Sequence, residues 1–199
     1  MAIQYVLAFS LLLFYFAIHS VLAADPVKSW VAARTGRIFR YYRLIYNGLA
    51  LILLLFLLRW MSGWEAHDLF AGSLWTQGAA LLLLLFGAWL VAGSLWQYDL
   101  GEFSGIQQIQ QEQAAAQHST LNTTGFNAFV RHPLYLGTIL LLVGNFLIFP
   151  KPSALLLLLS VLVYLPFGIH FEEKKLRKQF GQAYLDYEKR VKCLFPGLW

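Results

Sequence analysis

The chain has 199 residues, of which 59% are hydrophobic and only 13% charged, with a formal charge of +5. A soluble domain carries roughly 25% charged residues, so a water-soluble globular fold is excluded; the single cysteine, Cys193, excludes an intrachain disulfide. The basic residues flank apolar tracts and form no periodic stripe with aromatics, which fits the positive-inside rule and excludes a nucleic-acid partner.

A helix needs about 20 apolar residues to cross a bilayer. Five tracts approach this, at 3–23, 43–60, 78–97, 134–149 and 153–171. They predict an all-α integral membrane protein with about five transmembrane helices, built as a single membrane domain over 1–199. Three N-terminal spans occupy 1–97, a loop covers 98–133, and a helical hairpin with its tail covers 134–199. The first span ends in "VLAAD", whose small residues resemble a signal-peptide cleavage site. No Lys or Arg precedes it, however, and cleavage would export Lys28, Arg34, Arg37, Arg40 and Arg43. It is therefore read as a retained span, with His19 and Ser20 as hydrogen-bonded or interfacial residues near its end.

The segment 24–42 reads as a basic loop. After the third span, "QYDLGEFSG" puts Asp99 and Glu102 in a solvated loop, and "IQQIQQEQAAAQ", 106–117, suggests a short interfacial helix with Ile106 and Ile109 toward lipid. Next comes "NTTGFNAFVRHPLY", 122–135. Thr123, Thr124 and Gly125 suit a turn presenting backbone N–H groups, and Pro133 suits a first helical position, where its missing N–H costs nothing. Gly144 and Asn145 in the fourth span suit helix–helix packing. "PKPS" is a tight turn into the fifth span, which Pro166 should kink. In "HFEEKKLRKQFGQAYLDYEKRV", 170–191, apolar residues recur at three- and four-residue spacing, which predicts an amphipathic surface helix that Gly181 bends or interrupts.

With five spans, loops 24–42 and 98–133 and the tail 172–199 share one side, together with nearly all the basic residues. That side is expected to be cytoplasmic and the N-terminus outside. A hairpin over 134–171 then brings Arg131 and His132, at the head of one helix, beside Glu172 and Glu173, at the end of the next. Two readings stand for each pair. Arg131 and His132 are either a membrane anchor with an N-cap or, with the helix N-terminus, an anion site. Glu172 and Glu173 either complement a helix dipole or hold a cationic ligand group. Cys193 has no Cys or His partner at ligand spacing, so it reads as inert and no metal is expected.

"GFNAFVRHPLYLG", followed some 35 residues later by "EEKKLRKQFGQAYLDYEKRV" and "LFP", resembles the isoprenylcysteine carboxyl methyltransferase and phospholipid methyltransferase superfamily, over roughly residues 119–196. "HSVLAADPVKSW" and "QYDLGEFSG" resemble bacterial branches related to NnrU proteins and small-thiol methyltransferases. The resemblance implies S-adenosylmethionine as methyl donor, bound in a cytoplasm-facing pocket, and a lipophilic or small thiol, carboxylate or amine acceptor. It implies a bacterial inner-membrane location in contact with the lipid bilayer. Carried onto this sequence, the cofactor contacts are Thr124, Gly125, Arg131, His132, Tyr135, Leu136, Glu172, Glu173, Tyr184 and Tyr187. His132, Arg131 and Glu172 are the catalytic candidates: His132 as a base by residue class, Glu172 as second choice for that role, and Arg131 to orient an acceptor carboxylate. The chain departs from the pattern at Cys193, which stands where many members have Arg; a prenylcysteine carboxylate acceptor is thereby less well supported. The alternatives are a nicotinamide-dependent membrane reductase with a similar core, a non-enzymatic lipid-binding protein, and a transporter. The lack of an inverted repeat opposes the last.

Overall fold

The structure is a computed structural model that describes residues 2–64, 67–97 and 120–195. Asp99, Glu102 and the expected interfacial helix over 106–117 lie outside the described residues. The described residues divide into two compact units, 2–64, and 67–97 with 120–195.

The first unit contains α1 (Ala2–Ala23), α2 (Asp25–Thr35), a 3-10 turn (Gly36–Tyr41) and α3 (Tyr42–Ser62). The basic segment read as a loop is thus helical. Asp25 and a proline open α2, both favoured in a first turn, and Gly36 at φ +52° closes it. No residue of α2 is buried, so composition offered no apolar face to reveal it. His19 lies between the rings of Tyr15 and Tyr46, at centroid distances of 6.4 and 5.7 Å. Tyr42 donates to the Leu22 carbonyl at 2.9 Å, tying α3 to the end of α1.

The second unit holds α4 (Leu74–Trp96), a 3-10 turn (Gly125–Ala128), α5 (Pro133–Ile148), α6 (Pro152–Phe180) and α7 (Gln182–Arg190). Ser73 and Thr76 form a reciprocal capping box at the head of α4. Among the described residues, α1, α4, α6 and the stretch leading through α3 are long and apolar enough to cross a bilayer. With 16 residues, α5 is shorter; at 1.5 Å per residue it rises about 24 Å, below the roughly 30 Å of a hydrocarbon core.

α5 packs principally on α4, and less extensively on α6. The contact with α4 works because three glycines let backbones meet. A Cβ on Gly137 would stand 2.9 Å from the Gly87 carbonyl, one on Gly87 equally 2.9 Å from the Gly137 carbonyl, and one on Gly144 3.0 Å from the Ala80 carbonyl. Small residues at such crossings are how membrane helices gain packing energy where lipid supplies no hydrophobic drive. The packing reading of Gly144 holds, and its partner is α4. Pro133 opens its helix, as expected, and Pro152, read as part of the turn, opens the next. Pro166 lies inside α6, which remains helical from end to end. The amphipathic stretch over 170–191 is interrupted at Gly181, which takes φ +55° between α6 and α7; its first part continues the spanning helix α6.

Gly137→Ala should lower stability by about 1–3 kcal/mol through overpacking, seen as a reduced unfolding temperature in detergent. Gly48→Ala, where an added Cβ meets nothing within 4 Å, should not.

Candidate functional site

The second unit concentrates its charges where α5 begins and α6 ends. Glu173 is the hub, 7% exposed. Its Oε1 accepts from Arg131 Nε at 2.9 Å and Nη2 at 2.7 Å, and lies 3.2 Å from His132 Nε2. Its Oε2 accepts from Arg177 Nη2 at 3.3 Å. Arg177 reaches on to Glu188 of α7, at 3.1 and 2.6 Å. Arg131 completes its set by donating Nη1 to the Glu188 and Val191 carbonyls at 3.2 and 2.7 Å, satisfying orphan carbonyls at the end of α7. Burial opposes the Arg131 charge, but its hydrogen bond and ion pair with Glu173 outweigh this and hold its pKa above the ordinary value.

Neither sequence reading of these residues is quite what the structure shows. His132 is the N-cap residue of α5, yet its side chain caps nothing; it turns to the two carboxylates, with Nδ1 3.7 Å from Glu172 Oε2. Arg131 is no loose anchor, since each of its three nitrogens donates within the cluster. Glu172 is different: its side chain is 40% exposed, and Oε2 makes no hydrogen bond.

The tail threads this cluster. Arg131 N–H donates to the Lys192 carbonyl at 2.8 Å and His132 N–H to the Cys193 carbonyl at 3.1 Å, so residues 192–193 run alongside 130–132. Cys193 is thereby buried, in one cluster with Leu90, Val130, Leu136, Ile139, Leu165, Ile169 and Leu194. Burial, with the Glu173 charge next, pushes its thiol pKa up. The Sγ, an imidazole nitrogen of His132 and a carboxylate oxygen of Glu173 all lie within 4.8 Å of one another.

The remaining candidates fall into two groups. Tyr135 stacks on His132 at 5.4 Å. Tyr184 is 1% exposed and its hydroxyl has no hydrogen-bond partner; burial and then the Glu173 charge raise its pKa. By contrast Tyr187 donates to the Asn127 carbonyl at 2.6 Å, pinning α7 to the 3-10 turn. Leu136 belongs to the apolar cluster beneath. Thr124 N–H donates to Asn122 Oδ1 at 3.0 Å, and Gly125 takes φ +59° against the Gln97 side chain. Sequence reading passed over Arg177, Glu188 and Asn127. The Glu173-to-Arg177 spacing of four on one helix was the available sign of a pair; Glu188 and Asn127 gave none.

A short apolar helix crosses α4 on glycines, an Arg–His–Glu cluster at its head is closed by a C-terminal helix, and the chain's relatives place this bundle in the isoprenylcysteine methyltransferase-like class of membrane methyltransferases. The chain belongs to the NnrU family, whose description, NnrU protein, it matches over residues 6–194. It is 30% identical to methanethiol S-methyltransferase 1 of Bradyrhizobium diazoefficiens, over 94% of this chain and 65% of that protein. It is 27% identical to the methanethiol S-methyltransferase of Pseudomonas deceptionensis, over 94% and 71% respectively. Over 61% of its length it is 30% identical to protein-S-isoprenylcysteine O-methyltransferase of Rattus norvegicus, covering 42% of that enzyme. The chain thus spans about two thirds of the length of its methanethiol S-methyltransferase relatives. No solved structure matches it.

Arg131→Ala leaves Glu173 buried without its main partner and should cost about 3–5 kcal/mol, read as a lowered unfolding temperature. Tyr187→Phe should cost about 1–3 kcal/mol by stranding a buried carbonyl, whereas Tyr184→Phe, which removes a hydroxyl with no partner, should be neutral or stabilising. Thermal unfolding of the two variants side by side checks the contrast.

Proposed function

We propose that this chain is an S-adenosylmethionine-dependent membrane methyltransferase whose acceptor is a small thiol. The observation that carries the thiol reading is the engagement of Arg131. Its guanidinium is held by Glu173 and by two backbone carbonyls, so it is not available to an acceptor carboxylate, and Cys193 stands where a second cation would be expected. The names of the relatives matched over nearly the whole chain support the same reading.

Glu172, with its exposed face, is the carboxylate suited to the donor's ammonium or ribose. Tyr135, His132, the Tyr184 hydroxyl and the turn at Thr124 and Gly125 are the further groups proposed to line the donor pocket. Arg131 and Glu173 act by positioning: they fix the His132 ring and hold α7 in place. Methyl transfer from a sulfonium disperses its positive charge in the transition state. A dry site favours this because less solvation is lost there than in water. Alignment of the thiol sulfur with the methyl carbon supplies several kcal/mol more, up to about 7–11 in ideal cases. The distribution of basic residues supports a cytoplasmic site with the N-terminus outside, and an inner-membrane location for a bacterial chain.

Equilibrium binding to the detergent-solubilised protein tests this. S-adenosylmethionine and its demethylated product should bind, and NADPH should not. Glu172→Ala and His132→Ala should each weaken donor binding at least about tenfold, or 1.4 kcal/mol, with the fold intact by circular dichroism. Methanethiol offered with the donor should yield dimethyl sulfide. Absence of donor binding by folded protein refutes the proposal.

A further inference from the structure

We propose that His132, Glu173 and Cys193 together bind a thiophilic divalent transition-metal ion, Zn²⁺ in the first instance, with the fourth coordination position open to a thiol. The three side chains come from separate places: the N-cap of α5, the last third of α6 and the tail. Each offers one ligand atom, and these atoms lie within 4.8 Å of one another. Tetrahedral zinc, with bonds of about 2.0–2.3 Å, needs its ligand atoms roughly 3.3–3.8 Å apart, so closing the set takes side-chain shifts of no more than about 1.5 Å. The residues are 4%, 7% and 6% exposed, so the donors are not a solvated acidic patch.

The surroundings have the form of a metal site's outer shell. A ligating histidine ordinarily turns its other ring nitrogen to a carboxylate; His132 Nδ1 faces Glu172 Oε2 at 3.7 Å, and an ion at Nε2 would take the place of its contact with Glu173 Oε1 at 3.2 Å. A ligating carboxylate is ordinarily hydrogen-bonded from outside, as Glu173 is by Arg131 at 2.7 and 2.9 Å. Charge decides whether the neighbouring arginines forbid a cation. Among the described residues of the ion-pair network two guanidiniums, Arg131 and Arg177, face three carboxylates, Glu172, Glu173 and Glu188. One negative charge is left over. A divalent ion with Cys193 as thiolate brings the sum to zero.

Three protein ligands with an open position is the pattern of a zinc site that does chemistry; purely structural sites close with four. Zinc deprotonates a thiol that coordinates it. The acceptor's S–H proton would leave to water past the half-exposed Glu172. Its sulfur would then form a bond to the donor methyl carbon as the carbon–sulfonium bond breaks, giving a methyl thioether and the demethylated donor as a neutral thioether. No oxidant or reductant enters. Only this acceptor role rests on the proposed thiol methylation; the metal site stands on the donor geometry alone.

Cobalt tests it. Chelator-stripped, detergent-solubilised full chain titrated with Co²⁺ should develop tetrahedral visible bands and a thiolate-to-cobalt charge-transfer band at one equivalent, displaced by Zn²⁺. Cys193→Ser, close to isosteric, should lose the charge-transfer band while keeping its helix content. Methanethiol added to the cobalt protein should intensify the band as a second sulfur coordinates. No charge-transfer band in folded parent protein, or the same band in Cys193→Ser, overturns the site. A band indifferent to methanethiol overturns the acceptor role. Donor binding without a cobalt band removes the metal and leaves methyl transfer standing; a cobalt band without donor binding does the reverse.

Discussion

A carboxylate as enclosed as that of Glu173 is tolerable only with partners. Removing one partner from such a pair costs more than the pair itself contributes, because the remaining charge is left in a medium that cannot solvate it. Here three side chains supply them. Arg131 and His132 approach from the head of α5, Arg177 from the next turn of α6. Arg131 then carries the constraint outward to the carbonyls of Glu188 and Val191. The position of α7, the course of the tail and the orientation of the His132 ring all follow from neutralising one buried charge. The same residues that make the site polar also make it rigid, which is what a methyl donor and an acceptor need if they are to be held in line.

The second constraint is steric. α5 is too short to anchor itself by burying a long apolar face, and in lipid such burial would contribute little in any case. Its position is fixed where the glycines at 87, 137 and 144 bring its backbone against α4. The Arg131–His132 pair thus begins a helix that cannot slide relative to α4 without driving a carbonyl into a neighbouring chain atom.

What could be read from the sequence follows from how each feature is encoded. Spans are local, and apolar length reveals them; the prolines at 133 and 152 mark helix starts by their own covalent geometry. That Arg131 and His132 meet Glu172 and Glu173 follows from the short turn between two antiparallel helices. The rest depends on contacts between distant segments. Cys193 looked inert because no ligand stood near it in sequence; its neighbours at 132 and 173 are supplied by the pairing of the tail with residues 130–132. Tyr184 and Tyr187 looked alike, yet one hydroxyl meets a carbonyl and the other meets nothing. α2 was missed because it has no buried side to leave a period in the sequence.

α6 has a consequence for how the lipid and the charged cluster communicate. Its 29 residues form one unbroken helix, about 43 Å long at 1.5 Å per residue, against a hydrocarbon layer of about 30 Å. The excess carries Glu172, Glu173 and Arg177 beyond the apolar stretch. Helices meet a change of bilayer thickness by tilting, at a cost of fractions of a kcal/mol per Å. A rod this long turns a small tilt into a lateral displacement at its far end. The carboxylate hub is therefore mounted near the end of a lever, and the Arg177–Glu188 pair, at 2.6 and 3.1 Å, carries any such displacement on across Gly181 into α7.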